Sequence, residues 1–204
     1  MIQPLLTRVR HWTLTTLYQS QVITHLGDLP VVSLRTEHAD FLRIIRLSFE
    51  LIETLDPRRA ARVIHHTRWI VEASLALGPR SGRYCPQLSV IELDFDYDPD
   101  FGDDLRHAAY FAGVLVHEAT HGLLAHKGFH YTTDQRVQIE RICVAEENRF
   151  LLKTNRLREG LGDNLQFKFD PCLWEDAWQM GRWEKFTRSL KRSWSASSGE
   201  PAAN

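Results

Sequence analysis

Apolar positions recur along the chain with two different periods, and the switches between them divide it into elements. From His38 to Leu55, the residues Phe41, Ile44, Ile45, Phe49, Leu51, Ile52 and Leu55 fall every three or four positions, which specifies an amphipathic helix stopped at Asp56-Pro57. Pro57 suits a first helical position and predicts a second helix there. Residues 1–27 mix polar and apolar side chains at roughly helical spacing up to Gly27-Asp28 and predict a short helix. Val31 to Leu34 is a brief β-branched run and predicts a strand. Residues 67–77 fit either a continued helix or a strand, because Trp69, Ile70 and Val71 suit both, and the LGPRSG that follows is turn chemistry.

Tyr84 to Tyr97 alternates in near-strict fashion, with Val90, Ile91, Leu93, Phe95 and Tyr97 against Glu92, Asp94 and Asp96. It predicts an extended segment with one apolar and one acidic face. Asp103 or Asp104 then offers an N-cap for a helix over Leu105–Lys127, closed by Gly128. Thr132 and Thr133 offer caps for another helix, from Asp134 to about Leu157. Downstream, Trp174, Trp178, Trp183 and Trp194 predict aromatic packing against the main body. The expected organisation is one domain over residues 1–194 and a disordered tail over 195–204.

Charge narrows the possible functions. The 204 residues carry 25 Lys+Arg against 26 Asp+Glu, a formal net charge of −1, which excludes a broad basic face for nucleic acid. No apolar run reaches the length of a membrane-spanning helix. The first residues lack a compact apolar stretch followed by a small-residue cleavage site, so no secretory signal is expected. Cys85, Cys143 and Cys172 are odd in number and widely spaced, which predicts reduced thiols in a cytoplasmic protein. Function must then reside in a local site.

The strongest chemical signal is His117-Glu118-Ala119-Thr120-His121, inside the expected helix at 105–127. Residues four apart share a helix face, so both imidazoles can converge on one cation, while Glu118 at the rim can reach a water held there. A chance match to H-E-x-x-H is expected only roughly 0.03 times per chain of this composition. A catalytic zinc site uses three protein ligands and leaves a fourth position open. In the next helix Glu140 and Glu147 fall on the apolar stripe of Val137, Val144 and Leu151, with Cys143 beside it, whereas Glu146 points elsewhere. A carboxylate on a buried stripe needs a partner. Glu140 is the preferred third ligand and Glu147 the alternative, and whichever does not bind can orient a ligand histidine.

With these residues, VLVHEATHGLL at 114–124 and Glu140 nineteen positions beyond His121, the chain resembles the zincin metallopeptidases of the gluzincin type. The resemblance covers about fifty residues around two helices. Glu140 stands in QIERICVAEENRF and not in the N-E-x-x-S-D context of thermolysin-like enzymes. The resemblance implies an antiparallel edge strand above the motif helix that pairs with extended substrate, for which Leu88–Tyr97 is the candidate. It also implies zinc as cofactor, Glu118 as the general base that later protonates the leaving amine, and a further donor for the developing oxyanion. Tyr131 is preferred for that donor over His126, His130 and Arg136.

The expected fold is therefore α+β and zincin-like: a small, mostly antiparallel sheet packed on a motif helix and a ligand helix, with extra helices at both ends. The expected activity is zinc-dependent hydrolysis of a peptide or protein substrate, with no nucleic-acid or membrane partner. The competing reading is a non-catalytic zinc-binding interaction module on the same fold. The acidic strand face of Glu92, Asp94 and Asp96 fits a basic or polar substrate, or solvated charges that guard an edge.

Overall fold

The computed structural model of the protein describes residues 12–73 and 82–171. The tryptophans at 174, 178, 183 and 194, the tail from 195 and most of the LGPRSG turn lie outside the described residues. Helix occupies residues 12–20 (α1), but the expected helix over 1–27 gives way to strand β1, Val22–Leu26. Val22, Ile23 and Thr24 are β-branched, and Gly27, at φ +58°, forms with Asp28 the tight turn into β2, Leu29–Ser33. A glycine-aspartate pair between two such runs is a hairpin signal, and it outweighs a weak helical spacing.

The two helices expected from His38 onward are present as α2, Ala39–Leu55, and α3, Pro57–His66. Asp56 separates them. Its side chain accepts the Arg59 backbone N–H and caps α3, with Pro57 in the first turn. This helical pair returns the chain to β3, Trp69–Glu72, which runs parallel to β2 and makes the described core of the ambiguous 67–77 segment strand, while residues 74–77 lie outside the described residues. The alternating stretch Tyr84–Tyr97 is not one strand but a hairpin, β4 at Gly82–Cys85 and β5 at Val90–Leu93, with Ser89 in the left-handed region at its turn.

The five strands take the order β1-β2-β3-β5-β4. The sheet is mixed, which corrects the largely antiparallel expectation: β2, β3 and β5 are parallel at the centre, and only the outer pairs β1/β2 and β4/β5 are antiparallel. The parallel β2/β3 pair follows from the α2–α3 crossover, which the helical periodicity revealed without revealing its direction, and the parallel β3/β5 pair follows because the β4/β5 hairpin places its second strand inside and β4 outside. A second correction concerns the edge. β5 is hydrogen-bonded on both sides, so the antiparallel edge strand is β4 and not Leu88–Tyr97.

Alternation along the strands sorts the core into two faces. Val32, Trp69, Val71 and Val90 meet Tyr18 and Leu14 of α1 on one side. Val31, Ile70, Ile91 and Leu93 meet Phe41, Ile44, Phe111 and Leu115 on the other. That second face carries α4, Asp104–His126, and beyond it α5, Arg136–Thr154. Asp103 caps α4 by accepting the Arg106 N–H, and Gly128, at φ +83°, ends it. There the Gly128 and Phe129 N–H groups return to the Ala125 and Leu124 carbonyls, a Schellman closure. At α5 the expected hydroxyl caps do not form. Thr132 instead gives its backbone carbonyl to the Arg136 N–H, and the helix starts at Arg136. Among the described residues, no helix is long and apolar enough to cross a membrane.

Candidate metal centre

Helix α4 is enclosed on nearly every side, so its polar residues lie in a low-dielectric interior and must find partners there. Two glycines permit that enclosure. A Cβ at Gly122 would stand 2.9 Å from the His66 Cβ of α3, and one at Gly113 would stand 3.1 Å from Leu151 Cδ2 and 3.4 Å from Glu147 Oε1 of α5. Gly113 lies one turn before His117, and its missing side chain is what admits α5 and its carboxylates to the motif.

His117 and His121 converge as their spacing requires, with their Nε2 atoms 3.2 Å apart. Glu140 Oε2 lies 3.3 Å from His117 Nε2 and 3.7 Å from His121 Nε2. Zinc–ligand bonds of about 2.0–2.1 Å in a tetrahedron put neighbouring donors about 3.3 Å apart, so these three atoms already stand at nearly the separations of one polyhedral face. Glu140 Oε2 is buried and lacks a hydrogen-bond partner, near both imidazoles but aligned with neither. A divalent cation at the centre of the face would satisfy that oxygen. The residues fit such an ion.

The surrounding groups fix these donors. His117 Nδ1 is 2.9 Å from Glu147 Oε2, so an Nδ1–H donates to that carboxylate and Nε2 is the nitrogen turned toward Glu140 and His121, where a cation would displace its proton. The Tyr131 hydroxyl donates to Glu140 Oε1, and its ring meets His121 edge-on at 5.5 Å. Burial alone would push the His117 pKa down, but Glu140, Glu147 and Glu118 hold it well above the ordinary imidazole value. Burial likewise opposes ionisation of Glu140, and His117 and His121 outweigh it to hold that carboxyl well below the usual range. The pocket attracts positive charge.

Cys143 joins this group: its Sγ and the His117 and His121 ring nitrogens all lie within 4.8 Å of one another, and together they could hold a metal ion. Burial, with Glu140, Glu118 and Glu147 close by, pushes its thiol far above the ordinary value. Sequence reasoning placed Cys143 beside the stripe and missed its place at the centre. The available signal was its spacing of three from Glu140, one helical turn.

Glu118 is buried against β4, where a Cβ at Gly82 would come within 3.3 Å of its Oε1 and 2.6 Å of Val114 Cγ1. The motif's acid therefore lies beside the edge strand. Tyr131 does reach the site, yet its hydroxyl is engaged by Glu140, which makes it a positioning residue for that carboxylate. Among the other oxyanion candidates, His126 meets the His66 ring at 5.4 Å, His130 is exposed, and Arg136 is buried in the first turn of α5. Two acids of the strand face are paired, Glu92 with Arg83 and Asp94 with Arg35 at 3.4 Å, while Asp96 is exposed.

Behind the motif, Arg62 donates to Thr120 Oγ1 at 3.0 Å and to Glu146 Oε2 at 2.8 Å. Glu146 also takes Arg59 and Arg149, so it points away from the histidines as its phase on the helix requires. No family model matches the chain, and no curated protein or solved structure matches it.

Proposed function

We propose that the protein is a zinc-dependent metallopeptidase that hydrolyses peptide bonds on a zincin-like scaffold. The observation that carries this reading is the orphaned Glu140 Oε2 facing two converged imidazoles, with the acid of the same helix, Glu118, beside a sheet edge. In it, His117 and His121 bind through Nε2 and Glu140 through Oε2, while Glu147 holds His117 by Nδ1. Bound zinc supplies a Lewis acid that polarises the scissile carbonyl and brings the pKa of a coordinated water to about 7. Glu118 takes the proton of the attacking water on its carboxylate and returns it to the departing amine. The enclosed helix keeps bulk solvent from that carboxylate, which strengthens its role as base. The outer edge of β4, unpaired among the described residues, aligns an extended peptide by backbone hydrogen bonds, and Tyr131 keeps Glu140 in its binding orientation. The free thiols Cys85 and Cys143 suit a reducing compartment, the cytoplasm.

The test is a pair of variants assayed on a peptide library with product detection by mass spectrometry. Glu118→Gln should lower hydrolysis by about 10²–10⁴-fold while zinc content per chain stays at the wild-type value. His117→Ala should lose both. Wild-type protein that holds zinc but cleaves nothing refutes the peptidase and leaves a zinc-binding module, and a Glu118→Gln variant as active as wild type overturns the Glu118-assisted mechanism.

A further inference from the structure

We propose that Cys143 is a fourth protein donor to the cation held by His117 and His121, so that the resting centre is closed by sulfur. This rests on the cation-binding part of the reading above and not on hydrolysis.

Four observations converge on it. Cys143 is fully buried, on the face of α5 that meets the motif, one turn from Glu140 and one from Glu147. Its Sγ shares a sphere with the two imidazole nitrogens, no pair more than 4.8 Å apart. Glu140 Oε2, buried and without a hydrogen bond, lies 3.3 and 3.7 Å from the two imidazole Nε2 atoms, so it supplies a further donor beside them independently of the thiol. Finally, α4 and α5 each contribute two donors one helical turn apart: His117 and His121 from one, Glu140 and Cys143 from the other. A nitrogen–sulfur edge in a tetrahedral zinc site is about 3.6 Å, given bonds of about 2.0–2.1 and 2.3 Å. The 4.8 Å bound on the three donors is wider than that edge, so ligation draws the sulfur inward toward the imidazoles.

Ligation exchanges the S–H bond for a metal–sulfur bond. The proton leaves to solvent, and no electrons are transferred. Two consequences follow from the donor set. Three protein ligands leave a vacant position, as catalysis requires, whereas four close the site, so turnover requires the thiolate to leave the ion. A thiolate also favours soft cations over magnesium or manganese. Cys143 would then set both the resting state of the centre and the metals it accepts.

The experiment uses the full-length protein stripped by chelator and reloaded with Co²⁺. Wild type should show a thiolate-to-cobalt charge-transfer band in the near ultraviolet. Cys143→Ser should lack the band while still binding Co²⁺, and should bind Cd²⁺ at least about tenfold more weakly, the scale of a lost soft ligand. Should that variant fail to fold, X-ray absorption on the zinc-loaded wild type decides alone, with one sulfur neighbour expected at about 2.3 Å. Stoichiometric metal with only nitrogen and oxygen neighbours overturns the proposal and leaves the three-ligand centre standing. A band that persists in Cys143→Ser assigns the sulfur to Cys85 or Cys172 and overturns it as well. Wild type that binds neither zinc nor cobalt removes the metal centre itself.

Discussion

Helix α5 carries adjacent acids, Glu146 and Glu147, whose surroundings have opposite logic. Glu146 is gripped by Arg59, Arg62 and Arg149, permanent cations supplied by the chain. Nearby, Asp56 is gripped in the same way by Arg59 and by Lys153 at 2.7 Å. Glu147 and Glu140 instead face imidazoles and a phenol, groups whose charge is conditional or absent. Guanidinium-paired carboxylates complete a fold and need nothing else. Carboxylates left to imidazoles, with one oxygen lacking a hydrogen bond, could still take a cation from outside.

The largest expected effect separates these two regions directly. Glu140→Gln should reduce zinc retained through gel filtration from near one per chain to a trace, a loss beyond about 100-fold in affinity, because a primary ligand exceeds its supporting groups. Glu146→Gln should leave zinc content untouched. Equal zinc loss in both variants would erase the distinction.

On the guanidinium side, Asp56→Ala removes a helix cap and two charged partners and should cost about 2–3 kcal/mol in urea unfolding, with zinc per folded chain unchanged. Glu147→Gln tests the intermediate case. It should weaken zinc by about 10–100-fold in a chelator competition without removing it, since Glu147 acts through His117 Nδ1.

The smallest effect is one of pH. Burial disfavours the Asp56 charge, yet Lys153 and Arg59 outweigh it and lower its pKa from 3.8, and Glu146 is lowered from 4.5 against the same burial by Arg62, Arg149 and Arg59. Their folded-state values lie below their unfolded ones, so the unfolded chain takes up the protons first. The stability they contribute is fully present above those unfolded values and is lost as pH falls through and below them. Asp56→Asn, which keeps the cap, should flatten the acid limb of a stability–pH curve; an unaltered limb would show that the charge of Asp56 is immaterial.

Much of the metal side was legible in the sequence because its signals are local. H-E-x-x-H fixes two donors by helical geometry alone, and a short loop closed by Gly128 folds the next helix back, so Glu140 and Glu147 could be narrowed to a ligand and a supporting group. The structure gives Glu140 the inward oxygen and Glu147 the contact to Nδ1. Most of what escaped depends on the third dimension. Parallel pairing of β2 with β3 is set by the path of α2 and α3, and that of β3 with β5 by which strand of the β4/β5 hairpin turns inward, neither of which periodicity describes. The split of Tyr84–Tyr97 into β4 and β5 is made by a turn in which the Leu88 N–H returns to the Cys85 carbonyl with Pro86 at the second position, a local signal that the downstream alternation outweighed, and Ser89 follows it at positive φ. Cys143 was hidden because a buried cysteine reads as a small apolar residue until its neighbours are known. The arginines of α3 and their partners on α5 are more than eighty positions apart in the chain, so no local pattern announces them.

The bare backbone at Gly113 works as a spacer gauge. An added carbon there would displace the Leu151 side chain by a few tenths of an ångström and press on Glu147, the carboxylate that meets His117 Nδ1, so a change on the face of one helix would be felt at the imidazole through its neighbour.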